Sequence, residues 1–133
     1  MTEVTNEAAL AAAERLFQTV EYGDLDDLRA IFTVGAMVWH NTDEQLTDVE
    51  TTIRNLRSIR ASSKLFHYTD IKREPTPTGF VQQHTLLIET EDGRQLRDLA
   101  CCICRVEQGR IAHMDAYHDS AVTHALAHRQ PAE

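Results

Sequence analysis

The spacing of apolar residues changes from that of a helix to that of a strand at Ser62 and Ser63. Before that point they recur every three or four residues, as on one face of a helix. After it they alternate, as on a strand with one buried face. The alternating part divides into runs from Lys64 to Lys72, Phe80 to Thr90, Arg94 to Val106 and Arg110 to His118. Pro75 and Pro77 mark the first break, Glu91-Asp92-Gly93 the second and Glu107-Gln108-Gly109 the third. Breaks this short join antiparallel neighbours, because a parallel connection needs a dozen or more residues. The second half of the chain is therefore expected to be an antiparallel meander, curled by its own twist and by bulges.

The first half supplies what covers it. Glu7 to Glu21 is alanine-rich, with Leu10, Ala13, Phe17 and Val20 on one face, and Gly23 ends it. Asp24 is an N-cap for a second helix whose apolar side holds Leu25, Leu28, Ile31 and Phe32. Ala36 to His40 reads as a short strand. Thr47 with Glu50 forms a capping box for a third helix carrying Val49, Ile53, Leu56 and Ile59. A last short helix, capped by Asp119 or Ser120, runs to Ala127. Helices first and strands afterwards mean an α+β fold. Three N-terminal helices pack on the concave side of a strongly curved, mostly antiparallel sheet, with an internal pocket at the junction.

With 133 residues the chain is expected to be a single domain, 1–133, with an ordered core of about 5–127 and a flexible tail at 128–133. Its net charge of −8 disfavours nucleic acid and anionic membranes as partners. No apolar run approaches the roughly 18 residues of a membrane span. Met1 to Leu10 lacks the basic flank of a signal peptide, so a cytoplasmic location is expected. Cys101, Cys102 and Cys104 are odd in number and read as small buried hydrophobes, not as a disulfide framework. The seven histidines include no zinc-hydrolase spacing, and His124 and His128 sit near the tail, so no metal or other cofactor is expected.

Several stretches together resemble one superfamily. Glu21 to Phe32 looks like its turn between the first two helices, and Val38 to Asn41 like its first strand. Val81 to Leu96 resembles its central hairpin, and Glu107 to Asp119 its common ending of Gly turn, Ile, acidic residue, Tyr and terminal Asp. The chain is thus identified as similar to the SnoaL-like and nuclear-transport-factor-2-like (NTF2-like) proteins. That resemblance implies a cone-shaped α+β domain. It also implies chemistry of the kind run by ketosteroid isomerases, polyketide cyclases, limonene epoxide hydrolase-like enzymes and dehydratases. The superfamily contains binding and assembly modules too, so fold alone does not settle function. Pairing of such sheets back to back makes a homodimer the implied partner.

His84 is the first candidate catalyst, since an imidazole in a dry pocket can act as acid or base near neutral pH. It stands where the epoxide hydrolase-like members place a carboxylate. Asp115 is the second. If it shares the pocket face with Ile111, His113 and Tyr117, it can orient His84 as in an Asp–His dyad. If Ala112, Met114, Ala116 and His118 face inward instead, Asp115 lies outside and His118 becomes the candidate. The family's acidic pocket residue falls at Ala116 here, which weakens a carboxylate catalyst on this strand. Trp39 and Asn41 point together and His40 away; Trp39 is a pocket wall or core residue, and Asn41 either orients a water or a carbonyl or is a turn residue before Thr42-Asp43. Asp98 lies beside Ala100, Cys102 and Cys104, where a carboxylate is costly unless paired or solvated. Tyr22 and Tyr68 are further wall residues, and Asp119 is a helix cap. The expected function is cofactor-independent acid/base catalysis on a small, largely apolar molecule, by isomerisation, cyclisation, dehydration or epoxide opening. The alternative is a binding or assembly module without chemistry.

Overall fold

The computed structural model describes residues 4–127. The tail expected at 128–133 lies outside the described residues. The elements run α1 (Asn6–Tyr22), a 3-10 turn (Leu25–Asp27), α2 (Leu28–Ile31), β1 (Phe32–His40), β2 (Gln45–Asp48), α3 (Val49–Ala61), β3 (Ser63–Thr76), β4 (Gly79–Thr90), β5 (Gln95–Glu107), β6 (Arg110–Tyr117) and α4 (Ser120–Ala127).

The six strands form one sheet in the order β2-β1-β6-β5-β4-β3. β3 to β6 are the expected meander, each antiparallel to the next. β1 returns beside β6 in parallel, and β2 closes that edge antiparallel to β1. β3 is the other edge, which lets it hold Pro75 without losing an inner ladder bond. It carries a register shift between Thr69 and Lys72, where Asp70 has φ 55°. Such irregularities bend a strand and deepen the curl of the sheet.

α1 begins at Thr5, whose hydroxyl accepts from the Ala8 amide at 3.1 Å. It buries Ala9, Ala12, Ala13, Leu16, Phe17 and Val20 against the sheet. Gly23 ends it, although not through the left-handed backbone common at helix ends. Its φ is −88°, and a Cβ would sit 2.8 Å from the Thr19 Cα, so close approach excludes a side chain. Core side chains such as Leu16, Leu28, Phe32, Ile53 and Ile111 are at most 2% exposed. Each contributes roughly 1.5–3 kcal/mol by leaving water.

Local differences from the sequence reading have physical reasons. The second helix is a 3-10 turn and one α turn, and Phe32 already belongs to β1. β1 is longer than expected because Gly35, at φ +80°, absorbs the register shift between Phe32 and Met37. The cap of α3 is Asp48, which accepts from the Thr51 amide at 2.8 Å. Thr47 is instead the third residue of β2, a strand too short to show alternation.

Candidate active site

Between the helices and the concave face of the sheet lies a cavity of about 100 Å³. Leu16, Phe17 and Val20 of α1, Leu28 of α2 and Leu56 of α3 form its helical wall. The sheet contributes His40, Tyr68, His84, Ala100, Cys102, Met114 and Ala116, and His118 stands just past the end of β6. The cavity is small beside the roughly 300–1,000 Å³ of drug-sized pockets.

The strand register decides which polar groups reach it. Gln82 pairs with Cys102, and Cys102 with Ala116, so these share the inner face. Asp115 is the Cα partner of the half-exposed Ile103 and faces the other way. There it binds the His113 ring, with Nε2 to Oδ1 at 2.9 Å, both side chains about a third exposed (33% and 38%). The His84–Asp115 dyad is therefore not formed, and the alternative parity of the last strand is the one observed.

The carboxylate that meets the cavity-lining His118 comes from β5. Asp98 is 4% exposed, and its Oδ2 lies 2.8 Å from Nδ1 of His118. Its Oδ1 accepts from the Asp119 amide at 2.9 Å. These two donors are the pairing that a buried carboxylate requires. The backbone of His118 is held from both sides by Asn41. The His118 amide donates to Asn41 Oδ1 at 2.8 Å, and Asn41 Nδ2 donates to the His118 carbonyl at 3.2 Å. Asp119 Oδ1 accepts from the Ala121 amide at 2.9 Å and so starts α4 as expected. The residue carrying the imidazole is fixed between a strand end and a helix cap.

His40 also lines the cavity: it and Trp39 point apart as the alternation predicts, but His40, not Trp39, is the one that faces inward. Its ring stacks on His118 with centroids 6.0 Å apart, and its Nε2 lies 3.3 Å from Thr47 Oγ1. Burial pushes its pKa down and the neighbouring His118 adds to that, against an opposing pull from Asp43. Trp39 turns outward and packs edge-on against Tyr117 at 5.5 Å. Tyr22 is 68% exposed and is no part of the wall.

His84 is 8% exposed and meets the edges of Tyr68 (4.7 Å) and Phe17 (5.4 Å). Its Nδ1 lies 3.0 Å from Gln82 Nε2, and Arg73 Nε donates to Gln82 Oε1 at 2.7 Å. Burial lowers its pKa to about 4; the Asp98 charge opposes this, while those of His118 and Arg73 add to it. Burial likewise pushes the Tyr68 phenol far up, so that ring stays neutral. Cys102 and Cys104 are buried, and burial pushes the Cys101 and Cys104 thiols up. That environment opposes thiolate chemistry at those two positions. Among the described residues, no three His, Cys, Asp or Glu side chains converge as metal ligands would.

Sequence reasoning named Asp98, Asn41 and His118 without joining them. The signal was present in Asp98 itself, a carboxylate on a face of small apolar residues that needs a buried partner. Gln82 and Arg73 were not singled out, because a Gln in an alternating strand looks like any other polar position.

No protein-family model matches the sequence, and no curated protein matches it. Solved structures do match. An LEH-like epoxide hydrolase of M. tuberculosis aligns with TM-score 0.72 at 17% identity, over 87% of this chain and 86% of that one. An NTF2-like protein of unknown function from Burkholderia pseudomallei aligns with TM-score 0.76 at 13% identity, over 92% and 98%. A Jannaschia protein assigned to the SnoaL-like polyketide cyclases aligns with TM-score 0.71 at 15% identity, over 94% and 95%. Identities this low speak to architecture, and the agreement covers nearly the whole of each chain. The chain has the α+β cone fold of the SnoaL-like and NTF2-like superfamily.

Proposed function

We propose that this chain is a cofactor-independent enzyme that moves a proton on a small, largely apolar molecule, with His118 as the base and Asp98 as its orienting carboxylate. The observation that carries this reading is the 2.8 Å contact between His118 Nδ1 and the buried Asp98 at an apolar cavity. A carboxylate can only accept from a neutral ring, so Nδ1 carries the proton and Nε2 keeps its lone pair. When Nε2 takes a proton, the imidazolium that forms faces a fixed negative charge. His40, held neutral by burial, supplies the flank of the ring without adding a competing cation. Isomerisation, cyclisation, dehydration and epoxide opening all need such a group in a water-poor cavity. The presence of an LEH-like epoxide hydrolase and a protein assigned as a polyketide cyclase among the structural neighbours supports this range.

The test is turnover of cyclohexene oxide and small ketones by the unaltered chain, by His118→Gln and by Asp98→Asn. Loss of the base is expected to cost about a hundredfold or more. Unchanged turnover in His118→Gln contradicts the assignment.

A second reading is a binding module, favoured by Ala116, which brings a methyl group and no acid to the cavity. A co-purified molecule recovered unchanged, with no turnover of any substrate tried, favours it. In either case we propose a homodimer through the outer sheet face, where Leu99 and Ile103 are 63% and 47% exposed.

A further inference from the structure

His84 is a buried titratable side chain that the His118–Asp98 pair leaves without a task. Its surroundings fix where its proton sits. Arg73 has only donors, and its Nε reaches Gln82 at 2.7 Å, so the Gln82 atom facing it is the oxygen. The amide nitrogen of Gln82 then faces the His84 ring and must donate to Nδ1 at 3.0 Å. Nδ1 is the acceptor, and the proton of the neutral ring lies on Nε2. Gln82 is fully buried, at 0% exposure, so water offers no competing partner. His84 lines the cavity, and its Nε2 has no hydrogen-bond partner among the described residues. The charge of Arg73, placed over the Phe17 ring at 5.8 Å, further disfavours a second proton on His84.

The two cavity histidines are thus set as opposites. His118 donates its Nδ1–H to Asp98 and offers a lone pair on Nε2; His84 accepts from Gln82 and offers an N–H. We propose that Arg73 and Gln82 form a buried relay that fixes His84 as a neutral Nε2–H donor, matched to a small carbonyl compound whose oxygen gains negative charge when His118 removes the α-proton. This rests on the reading of His118 as base and adds the substrate class. The step balances without any oxidant or reductant. His118 Nε2 takes the α-proton, the C–H electron pair becomes the carbon–carbon double bond of the enolate, and the carbonyl π pair moves to oxygen. That oxygen accepts from His84 Nε2–H, and return of a proton from His118 to carbon restores the carbonyl. A neutral imidazole donates a hydrogen bond well and gives up its proton poorly. It therefore suits an enolate, whose charge is delocalised, better than a localised alkoxide that must be protonated. Arg73 and Gln82 act as positioning residues through His84.

The experiment has two readouts on the full chain. The first is 15N NMR of histidine-labelled protein, with the His84 signals assigned by their loss in His84→Gln. The expected result near neutral pH is a protonated Nε2 and a bare Nδ1. The second is deuterium incorporation at the α-carbon of cyclopentanone in D2O. In Gln82→Glu the new carboxylate accepts from both Arg73 and the ring, so the His84 proton moves to Nδ1. That variant is expected to lose about a hundredfold in kcat, as for removal of one oxyanion donor, with little change in KM. Arg73→Lys, which still donates to Gln82 Oε1, is expected to keep the tautomer. A proton on Nδ1 in the unaltered chain overturns the inference without any variant having to fold. So does unchanged exchange after the tautomer has moved. If the chain opens cyclohexene oxide in a His118-dependent way yet exchanges no ketone proton, this inference fails while the base assignment stands. If neither reaction depends on His118, both fail.

Discussion

Asp98 and Asp115 are the same side chain on adjacent strands, and the parity of each strand gives them different surroundings. Asp115 meets His113 in partial contact with water, where such a pair contributes at most about 1 kcal/mol. Asp98 is removed from water and meets His118 and the Asp119 amide. Asp98→Asn keeps the volume but loses the charge that selects the His118 tautomer. Turnover is expected to fall on the order of a hundredfold to ten-thousandfold, measured as kcat, while Asp115→Asn leaves it unchanged. His84 gives a prediction for stability. Its folded value of about 4 lies below the ordinary 6.5. Above pH 6.5 the ring is neutral in both states. As pH falls below that, the unfolded chain binds a proton that the folded chain refuses, so stability drops until about pH 4. The loss from this one group is up to about 3 kcal/mol. Urea unfolding across that range is expected to lose this component in His84→Gln; an identical pH dependence in both proteins contradicts it. The sequence could identify His84 as titratable, but its role depends on Gln82 two residues away and on Arg73 across the strand pair, which spacing does not encode.

The elements matter here through their ends. His118 follows β6 and precedes α4, and Asn41 follows β1, the parallel neighbour of β6. The parallel pairing brings the two strand ends together and lets one amide side chain make two bonds to the His118 backbone. Asn41→Ala removes both. Stability is expected to fall by about 1–3 kcal/mol in urea titrations. kcat is expected to fall as well, because the base loses its fixed position. The meander was legible because its turns are short and carry Gly93 and Gly109. The β1–β6 pairing was not, since it joins residues distant in sequence and leaves no local pattern. β2 was missed for the opposite reason, being only four residues long with a largely exposed face. The cap of α3 was read one residue early because Thr47 and Asp48 are both good caps, and hydrogen bonding to His40 and Thr52 engages Thr47 elsewhere.

At the scale of the whole molecule, the curled sheet has one face filled by helices and one face open. Leu99, Ile103 and Tyr117 are exposed on the open side, with the Trp39 ring against Tyr117. If two copies pair there, Ile103→Lys places charges in a desolvated contact and is expected to leave a monomer in sedimentation experiments. An unaltered chain that is monomeric at micromolar concentration contradicts the dimer. The cavity on the filled side holds His118, the proposed base. The most direct measurement is turnover by His118→Gln relative to the unaltered chain, on whichever of cyclopentanone and cyclohexene oxide the unaltered chain transforms. The account predicts a loss of about a hundredfold or more with the fold intact by circular dichroism. Equal rates from the two proteins would contradict it.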